Sequence, residues 1–221
     1  MDFQEWQLFY HRILKDFRFD RIEDERSADV LNDIIDVDQI LSDEELSMMI
    51  GNEVTIFGGG PNLEDQIKKA EPRGTLISAG SATSVIMKHS IRPEIFVTDL
   101  DGDVESEIEA NREGAVGVIL GHGDNLGSVR RYVPMFPGCL IPTTHSAPHG
   151  HLRNYGGFTD GDRAVCLARQ FGAKKITLLG FDFSNPRMKE GTDLSIKKRK
   201  LDWARRIIFE LNPEDVSLII P

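Results

Sequence analysis

From Val54 onward the chain alternates between two kinds of segment, and no other feature restricts its fold as strongly. Short apolar, strand-like runs occur at 54–57, 75–78, 95–98, 115–120, 139–142, 175–180 and 216–220. Helix-like stretches separate most of them, at 63–70, 82–89, 104–112, 126–132, 161–171 and 194–211. Parallel strands need a crossover to pair, and the crossover helices cover both faces of the sheet. The pattern therefore predicts an α/β fold, Rossmann-like and doubly wound, with a mainly parallel sheet. No fixed-period repeat or low-complexity linker interrupts it.

Residues 1–50 read differently. They hold 14 acids and 5 bases, whereas the remaining 171 residues hold 22 and 21, so the net charge of −10 belongs almost wholly to this front segment. Phe3, Trp6, Phe9, Ile13 and Leu14 fall at helical spacing over 3–17, with Asp2 as a cap. Val30, Ile34 and Ile35 suggest a second helix, and Ser42 followed by Glu45 forms a capping-box signature. The expectation is an acidic helical extension over 1–50 folded onto an α/β catalytic domain over 51–221. Its acids face solvent, and its Trp and Phe side chains serve as a docking surface rather than a ligand site.

The charge distribution also bears on partners. An electroneutral body has no basic stripe for a nucleic acid. Two cysteines, Cys139 and Cys166, supply neither a disulfide framework nor a cysteine-rich zinc site, which points to a reducing, cytoplasmic setting. The acidic, polar start does not read as a secretory signal. The uncharged stretch Tyr132–Leu152 is long enough to cross a bilayer, but Pro134, Pro137, Pro142, Pro148 and three histidines exclude a lipid-facing helix.

Polar clusters fall just after the apolar runs, at what would be the carboxyl ends of the strands. Ile56-Phe57 leads into Gly58-Gly59-Gly60-Pro61-Asn62, and Phe96-Val97 into Thr98-Asp99-Leu100-Asp101-Gly102-Asp103. Ile119-Leu120 leads into Gly121-His122-Gly123-Asp124-Asn125, and Leu178-Leu179 into Gly180-Phe181-Asp182. Ligands of open parallel sheets bind along that edge.

Each cluster has a chemical and a plain structural explanation. If strand geometry persisted, Asp99 and Asp101 would point the same way, and two adjacent carboxylates favour a shared divalent cation such as Mg²⁺. Asp103 suits a helix cap equally well. The Gly58–Gly60 turn offers backbone N–H groups to phosphate, although it is neither a Walker A loop nor a dinucleotide fingerprint, and a tight strand-to-helix turn would look the same. His122, Asp124 and Asn125 lie between glycines that let a ligand approach, with helix capping the alternative for Asn125. Thr159-Asp160-Gly161-Asp162-Arg163 places carboxylates at a helix start, where Thr159 or Asp160 could simply cap, and adds a guanidinium suited to phosphate. His145, His149 and His151 share a Pro/Gly-rich loop, read as a substrate loop before a zinc site. Cys166 falls on a helix face as packing. Lys197 and Lys200 open a long amphipathic helix with Trp203, Ala204, Ile207, Ile208 and Leu211 inward, and they are either a solvated face or a lid over a triphosphate.

Taken in order, Gly-Gly-Gly-Pro-Asn-Leu at 58–63, Val-Thr-Asp-Leu-Asp-Gly-Asp at 97–103, Gly-His-Gly-Asp-Asn at 121–125, Gly-Phe-Thr-Asp-Gly-Asp-Arg-Ala at 157–164 and Gly-Phe-Asp-Phe at 180–183 resemble the archaeal-type 6-hydroxymethyl-7,8-dihydropterin diphosphokinases. These are related in fold to the catalytic domain of thiamine pyrophosphokinases. The resemblance spans about residues 50–220, and the helical prefix looks like that family's amino-terminal extension. Gly102 stands where the wider thiamine group has Ser, so that group's substrate contacts are not carried over.

The resemblance implies transfer of diphosphate from ATP to the hydroxymethyl oxygen of a reduced pterin, with Mg²⁺ and release of AMP. Asp99 and Asp101 would hold the metal, with Asp124 completing or supporting the site. Gly58, Gly59, Gly60, Asn62, Arg163 and Lys197 would contact the nucleotide. Asp160, Asp162 or His122 would orient or deprotonate the acceptor, and Asp124, Asn125 and Asp182 are candidates for the substrate. A homodimer is one assembly open to it. Three rivals stand beside this reading. One is a dehalogenase-type phosphatase with Asp99 as nucleophile. Another is a metal-dependent glycosyltransferase, a reading to which surface-glycosylation relatives add weight. The third is a nucleotide-binding module without turnover.

Overall fold

Alternate residues of the first strand, β1 (Glu53–Phe57), are buried on opposite faces: Val54 and Ile56 on one, Phe57 on the other. Helices must therefore cover both sides. A computed structural model describes residues 3–185 and 193–221, and the expected cap Asp2 lies outside them. After β1 come α4 (Leu63–Ile67), β2 (Thr75–Ala79), α5 (Ala82–Lys88), β3 (Ile95–Thr98), α6 (Val104–Arg112), β4 (Val116–Gly121), α7 (Leu126–Tyr132) and β5 (Leu140–Thr144). Then follow α8 (Asp160–Gln170), β6 (Lys175–Leu179), α9 (Leu194–Glu210) and β7 (Ser217–Ile219). The elements match the predicted runs closely, although α4 ends three residues early.

The seven strands form one sheet in the order β5-β4-β3-β2-β1-β6-β7, and every pair is parallel. The chain steps outward from β1 to β5, then returns to the other side of β1 with β6. The strand order thus reverses between β1 and β6, the place where such sheets open a ligand crevice. Ala164, Val165, Leu167 and Ala168 of α8, with Ile208 of α9, cover one face over Val54, Ile56 and Ile77. Helices α4 and α5 cover Phe57 on the other, and α6 and α7 cover Phe96 and Ile119.

The front segment supplies α1 (Phe3–Phe17), α2 (Arg21–Ile34) and α3 (Asp43–Met49). In the capping box, Ser42 Oγ accepts from Glu45 N at 3.2 Å, and Glu45 Oε2 accepts from Ser42 N at 2.9 Å. Trp6, Tyr10 and Ile13 pack with Phe158, Cys166, Trp203 and Ile207, which places α1 against α8 and α9. Ala28 and Leu31 place α2 over the β4–β5 side of the sheet. Leu41 N bonds Leu140 O at 3.1 Å, so the segment also guards the β5 edge. Among the described residues no helix is long and apolar enough to cross a membrane.

Candidate active site

A cleft of about 670 Å³ opens over the carboxyl ends of β1, β2, β3, β4 and β6. Its floor at the switch point is the Gly58–Gly60 turn. Gly58 N and Gly60 N bond the carbonyls of Leu179 and Gly180 at 2.7 and 2.8 Å, and a Cβ on Gly58 would lie 2.9 Å from Gly180 O. Glycine is required here because two backbones approach too closely for a side chain. The turn thus offers phosphate fewer backbone N–H groups than its three glycines carry: those of Gly58 and Gly60 bond across the β1–β6 junction, and of the three only that of Gly59 bonds no described residue. Asn62 does not line the cleft, and its Oδ1 is buried without a hydrogen bond.

The Asp-x-Asp-x-Asp segment is not a continued strand, which corrects the expected register. β3 ends at Thr98, and Leu100 adopts a left-handed φ of 62°. For a non-glycine residue that conformation persists only where the surroundings over-determine it. Here Leu100 N bonds Thr98 Oγ1 at 2.9 Å, and Thr98 Oγ1 donates to the buried Glu107 Oε2 at 3.0 Å. Asp101 N in turn bonds Asp99 Oδ1 at 3.2 Å. Both carboxylates still line the cleft. Asp103 caps α6 through Ser106 N at 3.2 Å and Ser106 Oγ at 2.9 Å.

Burial alone would raise the Asp99 carboxyl, but a hydrogen bond and charge from His122, then the charge of Arg163, hold it well below the usual carboxylate range. His122 Nε2 stands 3.5 Å from Asp99 Oδ2. Glu107 beneath them is the reverse case: burial, only partly offset by the Thr98 bond, pushes its carboxyl well up.

Several expected contact residues prove to be scaffolding. Asn125 gives its two amide hydrogens to Asp99 O and Leu120 O at 2.8 and 2.6 Å, and its oxygen accepts from Ser27 Oγ and His122 N at 2.9 and 3.0 Å. That exhausts its capacity, so it ties the β3 and β4 loops to α2 and has nothing left for a substrate. Asp162 is fully buried and accepts from Phe158 N at 2.5 Å, Thr159 N at 2.8 Å and Thr159 Oγ1, so its oxygens cap α8 and are taken up by that turn although the residue borders the cleft. Burial raises its carboxyl despite those bonds. The Arg163 guanidinium lies behind the wall rather than in it, bonding Asp160 Oδ1 at 3.1 Å and Thr143 Oγ1 at 2.7 Å.

Asp160 does line the cleft, pressed close to Gly80, where a Cβ would sit 2.7 Å from Asp160 Oδ2. Asp124 is exposed at the rim, and Asp182 binds its own turn through Ser184 N and Asn185 N, both at 3.0 Å. Lys197 and Lys200 reach the cleft from α9. Among the described residues no three His, Cys, Asp or Glu side chains gather closely enough to hold a metal ion by themselves. The three loop histidines are likewise dispersed: His145 is sealed in the cleft wall, whereas His149 pairs with Asp29 at 2.9 Å on the surface.

The front segment contributes more than docking. Tyr10, Ile13, Phe19, Asp20 and Asp24 all line the cleft, as does Lys88 of α5. No local signal marked them, since the front-segment residues reach the cleft only through the packing of α1 and α2.

The family model described as "6-hydroxymethylpterin diphosphokinase MptE-like" matches residues 29–187. A protein of Methanothermobacter thermautotrophicus named 6-hydroxymethyl-7,8-dihydropterin pyrophosphokinase is 43% identical, with 94% of each chain aligned. Proteins of the same name from Pyrococcus furiosus and Methanocaldococcus jannaschii are 41% and 37% identical, covering 100% and 94% of this chain and 98% and 95% of their own. Among solved structures, the MAf glycosyltransferase of Magnetospirillum magneticum AMB-1 superposes with a TM-score of 0.51 at 18% identity, over 90% of this chain but only 38% of its own. That likeness concerns the fold alone. Matched over most of its length by the family model and over nearly all of it by these relatives, the chain belongs to the 6-hydroxymethylpterin diphosphokinase MptE-like family.

Proposed function

We propose that the chain transfers diphosphate from ATP to 6-hydroxymethyl-7,8-dihydropterin, releasing AMP, as a Mg²⁺-dependent cytoplasmic enzyme of pterin biosynthesis. The observation that carries the site assignment is the ionised Asp99 beside Asp101 in a glycine-floored cleft at the switch point. The names of its near-full-length relatives supply the substrate class.

The donor set fits magnesium. That ion takes one or two carboxylates and completes its shell with water and phosphate oxygens, so a pair suffices where a three-ligand cage does not form. Asp99 and Asp101 would hold it, and when bound it would neutralise charge across the phosphates. The chain's own groups do the rest. The Gly59 N–H and the Lys197 and Lys200 ammonium groups bind phosphate oxygens. Arg163 holds Asp160 and favours the ionised Asp99 without touching the nucleotide. The hydroxymethyl oxygen attacks the β-phosphorus in line, the bond from the β-phosphorus to the α,β-bridging oxygen breaks, and AMP leaves with that oxygen. The hydroxymethyl proton passes to Asp160, because the charge that His122 lends to Asp99 requires an imidazole that already carries its proton, and Asp162 is taken up by its own turn. Most of the rate enhancement in such a reaction is positioning and charge stabilisation.

The test is a product assay with ATP, Mg²⁺ and the dihydropterin alcohol, read by phosphorus NMR and nucleotide chromatography. AMP and a pterin diphosphate appearing together, and only with the metal, support the reading. ADP with free phosphate would indicate hydrolysis and overturn it.

A further inference from the structure

The two ends of the cleft differ in chemistry, and the difference locates the heterocycle. This step rests on the pterin reading above. At one end lie the Gly58–Gly60 floor and Phe181, whereas Lys200 stands over Phe158, its Nζ 5.9 Å from that ring's centroid. At the other, α1 and α2 meet the exit of β5. There the ring centroids of Tyr10 and Phe158 lie 5.7 and 6.0 Å from that of His145. Trp6 backs them, stacked on Tyr10 at 5.9 Å and donating from Nε1 to His145 O at 2.8 Å, which fixes the β5 loop.

Two polar groups at this end are set in a rigid frame. Asp24 is 7% exposed; its Oδ2 accepts from Tyr10 Oη at 2.6 Å and its Oδ1 from Gly123 N at 2.7 Å. A carboxylate offers about four acceptor positions, so each oxygen keeps one in reserve. His145 is 5% exposed, and its Nε2 has no hydrogen-bond partner. Its Nδ1 is 4.0 Å from Asp24 Oδ2, outside hydrogen-bond range. Burial, with the charges of Arg163 and His122, keeps this imidazole neutral, so it carries one donor and one acceptor. A buried polar nitrogen left unpaired beside a cavity calls for a partner, and a ligand ring atom is one that could supply it.

The donor pattern favours a pterin over adenine. The 2-aminopyrimidinone edge of a pterin presents two adjacent donors, the 2-amino group and N3–H, which a carboxylate matches. Adenine presents one donor beside acceptors. Position also agrees: His122 lies 6.4 Å from His145 between ring centroids, and His122 in turn reaches Asp99. A bicyclic ring anchored at Asp24 would thus point its far substituent toward the carboxylates. We propose that this aromatic end is the subsite for the reduced pterin, with Asp24 taking the 2-amino/N3 edge and His145 Nε2 hydrogen-bonding a polar atom of the ring.

The experiment titrates the full-length chain by calorimetry with three probes: 6-hydroxymethylpterin, 6-hydroxymethyl-lumazine (oxygen in place of the 2-amino group) and a non-hydrolysable ATP analogue. His145→Leu and Asp24→Asn should each weaken pterin binding by about tenfold or more, since each leaves a buried ring atom unpaired. Affinity for the ATP analogue should stay within about twofold. His145→Gln should recover part of the loss, and Asp24→Asn should erase the preference for the pterin over the lumazine. If His145→Leu fails to fold, the lumazine preference of Asp24→Asn decides. Wild-type pterin affinity and preference in the folded variants would overturn the subsite. A wild-type chain that binds the ATP analogue but no pterin would overturn the functional reading, and the subsite with it.

Discussion

His122 Nε2 lies 3.5 Å from Asp99 Oδ2, and this contact favours the ionised form of a half-buried carboxylate. Burial works against the charge on Asp99, and His122 makes the largest of the contributions that together outweigh it. His122→Ala removes that hold. The sign follows: Asp99 titrates at higher pH, so the acid limb of kcat/KM moves to higher pH. With the hydrogen bond and charge that position the Asp99 carboxylate lost, kcat falls by roughly 10²-fold or more. A pH–rate profile unchanged in position would count against the pairing.

Asp101→Asn keeps the size of the side chain and removes one charge. Asp101 is not a core residue, and its backbone N–H, which binds Asp99, is untouched. The expected result is a folded protein with near wild-type Tm that has lost turnover by roughly 10²-fold or more. Measured across a magnesium titration, retained activity with unchanged metal dependence would remove Asp101 from the metal assignment.

Arg163→Met tests whether the guanidinium works from behind the wall. Its head group meets Asp160 and Thr143, not the cleft. Breaking a buried ion pair by removing one partner costs about 3–5 kcal/mol, so the variant should unfold at lower denaturant. Among molecules still folded, kcat should drop while KM for ATP stays within about twofold, the pattern of lost positioning rather than lost binding. A tenfold rise in that KM would return Arg163 to the nucleotide.

Much of this architecture is legible in sequence because strand and helix periodicities are local. The runs at 95–98 and 104–112 coincide with β3 and α6, and Ser42 and Glu45 make their capping box within one turn. The carboxyl-edge placement of the glycine and aspartate clusters follows from the same alternation. What local pattern does not carry is direction. Asp162 and Asn125 look like ligand groups by type, yet each turns inward because a helix start or two loops need its hydrogen bonds. Asp24 looks like one more solvated acid of an acidic segment. Its role depends on α2 folding 99 residues away in sequence against Gly123, which no window along the chain displays.

Glu107 offers a test by pH. It is fully buried, one oxygen has no partner, and burial lifts its carboxyl well above the ordinary value of 4.5. Between that value and its folded pKa, the native state holds a proton that the unfolded chain has already released. Stability therefore falls as pH rises through this window, by about 1.4 kcal/mol per pH unit while the difference lasts. Glu107→Gln keeps an acceptor for Thr98 and cannot ionise. The variant should be more stable than wild type at pH 8, with a flatter dependence on pH, and its Leu100 turn and catalytic rate should be preserved. Urea denaturation at pH 5 and pH 8 provides the comparison. Equal slopes for the two proteins would mean that Glu107 is ionised in the fold and pays its desolvation in some other way.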